Sequence, residues 1–114
     1  MGEQIKIRKA QGTWVVRSGG AVLGESTNAL VLSESDYAPV IYFPRDDIAM
    51  ALLDKTDKVT HCPHKGDATH YSIVNLSSVT ENAVWSYEDP LPDLVEIKGY
   101  LAFYPVDSVK VEQI

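Results

Sequence analysis

Short runs of β-branched and aromatic residues, each cut off by a turn, set the limits on what this chain can fold into. Ile5 and Ile7 alternate with Lys6 and Arg8, and Trp14-Val15-Val16, Ala21-Val22-Leu23 and Ala29-Leu30-Val31-Leu32 follow. Runs this short and this rich in strand formers read as β-strands. Ser18-Gly19-Gly20 lies between two of them at the spacing of a tight hairpin, because paired glycines accept the positive φ that matches the twist of the flanking strands. The first third of the chain therefore reads as a β meander. Val40-Ile41-Tyr42-Phe43 and residues 70–74, 83–87, 100–104 and 109–111 are further strand candidates, punctuated by Pro90, Pro92, Gly99 and Pro105. Pro44-Arg45-Asp46-Asp47-Ile48 places a proline and two acids where a helical turn would begin, which predicts one short α or 3₁₀ segment over about residues 45–50. The expected fold is mainly β, with one or two short helical turns.

A chain of 114 residues with 45% hydrophobic content can bury a single core without disulfides or a structural metal, so one domain over residues 1–114 is expected. There is no internal repeat, low-complexity tract or composition break to mark a linker. Sixteen acidic against ten basic residues give a formal charge of −6, which argues against nucleic acid and anionic membranes as partners. Cys62 is the only thiol, so no intrachain disulfide can form, and Met1-Gly2-Glu3-Gln4 leads into charged residues and not an apolar signal segment. A soluble, cytoplasmic protein is the expectation. No apolar run approaches the roughly 20 residues of a membrane helix.

Chemistry concentrates in Cys62-Pro63-His64-Lys65-Gly66-Asp67-Ala68-Thr69-His70-Tyr71. Pro63 fixes its own φ and Gly66 tolerates a positive one, so the two bracket a tight loop able to present Cys62 and Lys65 to one space. Cys62 has two readings: a thiolate favoured by Lys65 and nearby imidazoles, or a small apolar filler, since free cysteines are among the most buried residues. Lys65 is either solvated or held by a charge partner such as Asp47 or by a bound anion. His61, Cys62, His64 and His70 are of the right type to ligate zinc, but their spacing does not assemble a site, and no metal or other cofactor is expected.

Trp85 and Tyr87 lie two apart in a candidate strand, so their rings share one face, and Tyr42, Tyr71 and Tyr100 can join them from neighbouring strands. Such a wall is core packing or the lining of a pocket. Buried phenols need hydrogen-bond partners, which tilts the tyrosines toward a pocket. Arg45 and Asp47 open the helical turn; Arg45 offers a planar fork to a carboxylate or phosphate if it points inward, and Asp47 otherwise caps the turn. Glu25 and Glu34 read as solvated strand residues, either of which could pair with Lys65 or Arg45.

Glu34, Tyr42-Phe43-Pro44-Arg45-x-Asp47, Cys62-Pro63-x-Lys65-Gly66-x-Ala68-x-x-Tyr71, Trp85-Ser86-Tyr87 with Pro90, and Gly99-Tyr100-Leu101-Ala102-Phe103-Tyr104 together resemble the bacterial and fungal family known as domain of unknown function 427. The resemblance runs roughly from Trp14 to Val111. It implies a β-tent architecture similar to the Mss4-like group, a pair of antiparallel sheets meeting at an angle. Where that group pins the apex with zinc on two cysteine pairs, a single cysteine cannot supply four thiolates, so a zinc-free version is implied here. The family has also carried a nucleotidyltransferase-like label. Gly24-Glu25-Ser26 followed by Glu34-Ser35-Asp36 imitates the required turn and paired carboxylates only loosely, with the turn order wrong and Ser35 in place of an apolar residue.

The leading expectation is a small-molecule-binding module whose pocket is walled by Tyr42, Tyr71, Trp85 and Tyr87. Arg45, Asp47 and Lys65 would be polar anchors for an anionic or amide-bearing ligand. The alternative is an enzyme using Cys62, activated by Lys65 or His64, as nucleophile or redox group. A third is an interaction protein that self-associates through strand edges or residues 99–104; a symmetric homodimer is the base-rate expectation.

Overall fold

The computed structural model describes residues 4–75, 78–106 and 108–114. Among these residues ten strands follow one another: β1 (Ile5–Lys9), β2 (Trp14–Ser18), β3 (Ala21–Ser26), β4 (Leu30–Glu34), β5 (Val40–Tyr42), β6 (Leu53–Cys62), β7 (Gly66–Val74), β8 (Val79–Ser86), β9 (Ala102–Phe103) and β10 (Val109–Gln113). They form three antiparallel sheets among the described residues, ordered β1-β4-β5, β10-β2-β3 and β6-β7-β8-β9. The mainly β expectation holds, with three hydrogen-bonded ladders where the resemblance implied a pair of sheets. The first third is not a meander. β1 skips its sequence neighbour to pair with β4, while β2 and β3 form the expected hairpin with Gly19 at φ 61° and take β10 as their other partner.

Strands β4 and β5 carry apolar side chains on both faces and so alternate little between apolar and polar, whereas β1 keeps the alternation of Ile5 and Ile7 with Lys6 and Arg8. Ile41 and the following Phe43 pack into one cluster of buried side chains with Val16, Leu23, Ile73 and Leu101. Val40 and Tyr42, pointing the other way, pack into a second cluster with Leu32, Ala68, Tyr87 and Ile97. Phe43 also exchanges backbone hydrogen bonds with Leu101, at 2.8 and 2.9 Å, and so ties this sheet to the four-stranded one beyond β9. The segment 99–104, a self-association edge on sequence grounds, is largely interior: Leu101, Ala102 and Phe103 are buried, and β9 is a paired strand of that sheet.

The helical stretch after Pro44 is two 3₁₀ turns, Arg45–Asp47 and Met50–Leu52. Ile48 separates them in an extended conformation and bridges to Gly24. The approach is so close that a Cβ on Gly24 would stand 2.5 Å from the Asp47 carbonyl oxygen. A third 3₁₀ stretch, Pro92–Ile97, turns Leu94 and Ile97 into the second cluster. No helix among the described residues is long and apolar enough to cross a membrane.

Candidate functional site

The hairpin between β6 and β7 makes the first wall of the site. Lys65 N–H donates to the Cys62 carbonyl at 3.1 Å, and Gly66 adopts φ 112°, a left-handed value that a side chain would strain. The Lys65 carbonyl in turn accepts from Leu91 N–H at 2.9 Å, so the loop is clamped from behind. This fixes where the Lys65 amine can reach. Opposite stand Leu32, Val40 and Tyr42, which share one face of the β1-β4-β5 sheet through the pairings Leu32↔Val40 and Leu30↔Tyr42. Trp85 and Tyr87 close the space from β8 and the residue just beyond it. The result is an open cleft of about 630 Å³ that also meets Cys62, His64, Tyr37 and Tyr104.

Two polar contacts organise it. Lys65 Nζ donates to Glu34 Oε1 at 2.7 Å, with the two side chains only 11% and 15% exposed. Trp85 Nε1 donates to the Tyr42 hydroxyl at 3.3 Å, the rings lying edge to face with centroids 6.3 Å apart. Trp85 also packs on Tyr104, at 4.4 Å between centroids. Burial opposes the charge on Lys65, but the hydrogen bond to Glu34 overcomes it and raises the amine above its ordinary pKa. Burial raises Tyr42 well above the ordinary phenol range and Tyr87 to about 12, against the lowering influence of Trp85 on the first and of Lys65 on the second. At neutral pH the cleft therefore carries an ammonium–carboxylate pair beside two protonated phenols.

Stability against alkali follows. A phenol or amine with a raised folded-state pKa adds stability that is complete below its unfolded pKa and lost as pH rises through the folded one. Tyr42, Tyr71, Tyr87 and Tyr104 are all shifted upward from 10.0, with burial the leading cause in each, and Lys65 is shifted upward from 10.5. Urea melts should give a constant midpoint up to about pH 10 and a steep fall above it, with the phenolate absorbance of these four tyrosines appearing together with unfolding. Phenolate that titrates fully in a still-folded protein would contradict it.

Arg45, Asp47 and Tyr71 stand apart from the cleft. Arg45 donates from Nε to the Gly99 carbonyl at 3.1 Å and from Nη2 to Glu88 Oε2 at 2.9 Å, with longer contacts to Tyr71 and Ser86 at 3.4 Å. The Tyr71 hydroxyl donates to the same Glu88 oxygen, and the guanidinium carbon lies 5.8 Å from the centre of the Tyr71 ring. Glu88 is drawn below its ordinary pKa because the bonds from Tyr71 and Arg45 outweigh its burial. This closed network joins the 3₁₀ turn to β7, β8 and the loop at Gly99. Asp47 neither caps its turn nor meets Lys65; it accepts from Ser26 Oγ at 2.6 Å and so anchors the turn to β3. These three residues are occupied with one another's elements, and Lys65 has Glu34 as its charge partner.

The histidines scatter. His61 pairs with Asp67 at 2.7 Å on the exposed side of the hairpin, His64 lines the cleft, and His70 is wholly buried with Nε2 at 3.1 Å from the Tyr104 hydroxyl. Burial, then Lys58, lowers the His70 pKa, so its ring is neutral. Among the described residues no three His, Cys, Asp or Glu side chains are grouped to hold a metal ion.

Glu88 and Tyr37 escaped the sequence reading. Glu88 follows the Trp85-Ser86-Tyr87 motif directly, and the alternation that puts Trp85 and Tyr87 on one face puts Ser86 and Glu88 on the other, a signal that was there to be used. Tyr37 sits in a polar turn with no pattern around it.

The chain belongs to the family described as a domain of unknown function (DUF427), whose profile matches residues 6–113. No curated protein matches it.

Proposed function

We propose that the protein binds a flat, amide-bearing small molecule in the cleft between Tyr42, Trp85, Tyr87 and Lys65. The observation that carries this reading is the Lys65–Glu34 pair, two nearly buried charges kept on the wall of an otherwise aromatic, open space. A buried ion pair adds little net stability over apolar residues of the same volume, so its place here fits recognition better than folding. Because Glu34 already neutralises Lys65, the pair presents a donor beside an acceptor. A carboxamide answers both at once, while a simple anion would have to compete with Glu34. The neutral phenols of Tyr42 and Tyr87 add further donors, and the rings supply stacking surface.

Calorimetric titration with benzamide and benzoate separates the options. Saturable binding of benzamide with weaker or no binding of benzoate is the expected result. Preference for benzoate would make this an anion site, and failure of both, across a wider panel of aromatic amides, would remove the reading.

A second reading has one observation in its favour: Cys62 is partly exposed and lines the same cleft as Lys65 and His64. As a nucleophile it would act on a ligand held against Trp85 and Tyr42. Iodoacetamide should then modify the folded protein at neutral pH, and a thiol that stays unmodified until the chain unfolds excludes it.

A further inference from the structure

A second cleft opens on the opposite face of the β1-β4-β5 sheet. Arg8 is the partner of Val31 and Val31 of Ile41, so these three side chains project together, away from Ile7, Leu32 and Val40. Across from them stand Trp14 of β2 and Val109 and Val111 of β10, enclosing about 880 Å³ between the two sheets. That volume lies in the range of sites that take up a whole small molecule. Its walls are mainly hydrocarbon, with Gln11, Gln113 and Tyr104 adding polar side chains. The charge beside it is positive: Arg8, exposed, lines it on the face shared with Val31 and Ile41 and forms no ion pair among the described residues. In a chain whose formal charge is −6, a cation with no ion-pair partner among the described residues, beside an apolar slot, is a local exception to the surface, and it complements an anion.

We propose that this cleft binds an aliphatic monocarboxylate, its chain between the two sheets and its carboxylate on the Arg8 guanidinium. The mainly apolar walls reward burial of methylene groups and offer a polar body few hydrogen bonds in exchange for its lost hydration. The planar fork of Arg8 suits a carboxylate in bidentate geometry. None of Lys65, Glu34 or Tyr42 lines this site. It shares only Trp85, Tyr104 and the Ala38–Val40 corner with the amide cleft.

Dodecanoate, kept below the concentration at which it forms micelles, is the probe, with dodecanol as its uncharged counterpart. Trp14 and Trp85, the chain's two tryptophans, both line the cleft, so intrinsic fluorescence reports occupancy and calorimetry gives the stoichiometry. One dodecanoate per chain should bind saturably. Arg8→Glu should weaken it at least about tenfold while leaving dodecanol binding and the thermal midpoint unchanged, the tenfold corresponding to about 1.4 kcal/mol. Val31→Phe, which fills the slot from a half-buried position, should weaken both ligands. No saturable binding of dodecanoate overturns the proposal. So does an affinity that Arg8→Glu leaves unaltered, or one that falls equally for acid and alcohol. If Arg8→Glu lowers the thermal midpoint, Arg8→Gln replaces it with the same expectations.

Discussion

Changing Lys65 to Met should destabilise the protein by about 3 kcal/mol and abolish benzamide binding, and adding Glu34→Gln should restore most of the stability but none of the binding. The first effect follows from what Met leaves behind: a carboxylate with a side chain 15% exposed, packed against aromatic rings, without the ammonium that sits 2.7 Å away in the native chain. Removing one partner of a buried pair typically costs about 3–5 kcal/mol, and the residual solvent contact puts this case at the lower end. For a domain of this size that is a fall of roughly 12 °C in the melting midpoint. Glu34→Gln then removes the unpaired charge and leaves an amide that solvent can reach. Stability returns because the loss came from the orphaned charge; binding does not, because the adjoining donor and acceptor are gone. If the double variant stays as unstable as Lys65→Met, the pair is a structural brace. If Lys65→Met binds benzamide as the native chain does, Lys65 has no part in recognition.

What the sequence made legible, and what it hid, has a physical pattern. The β2–β3 hairpin, the Cys62–Gly66 turn and the shared face of Trp85 and Tyr87 were readable because each rests on local geometry: a glycine at positive φ, or a period of two. The long strand β6 was not, since eight of its residues read Asp-Lys-Thr-Asp-Lys-Val-Thr-His, mostly exposed, and a strand without an apolar face carries no period to detect. The pairing of β1 with β4 was hidden for another reason, because sequence neighbours usually pair and nothing local forbids it here. Pro92–Ile97 looked like punctuation because prolines interrupt strands, yet Pro92 opens a 3₁₀ stretch that needs no N–H from it. Within the site, residue types were easier than partners. Arg45 and Tyr71 belong to the same motif set as Lys65 and Tyr42, but Tyr71 packs in the first core cluster, with Arg45 hydrogen-bonded to it, and Tyr42 in the second, a separation that only the sheet order decides.

Replacing Trp85 with Ala should leave a folded protein, weakened by about 2 kcal/mol, that binds benzamide and dodecanoate at least tenfold less tightly. The stability term is moderate because Trp85 is only half buried: its loss removes the hydrogen bond to Tyr42 and the packing on Tyr104 without opening a sealed void. Native domains have about 5–15 kcal/mol in hand, so a loss of this size does not unfold the chain. The binding term is large because Trp85 lines both clefts and is the largest side chain the two share. Trp85→Phe separates the contributions. It keeps an aromatic face and gives up the N–H to Tyr42, so most of the stability should return, dodecanoate should rebind, and benzamide should recover in part, since the freed Tyr42 hydroxyl is no longer oriented. Circular dichroism and thermal melts alongside the two titrations check each arm. A Trp85→Ala chain that is unfolded at room temperature returns Trp85 to the core, and one that folds and binds both ligands undiminished removes it from both sites.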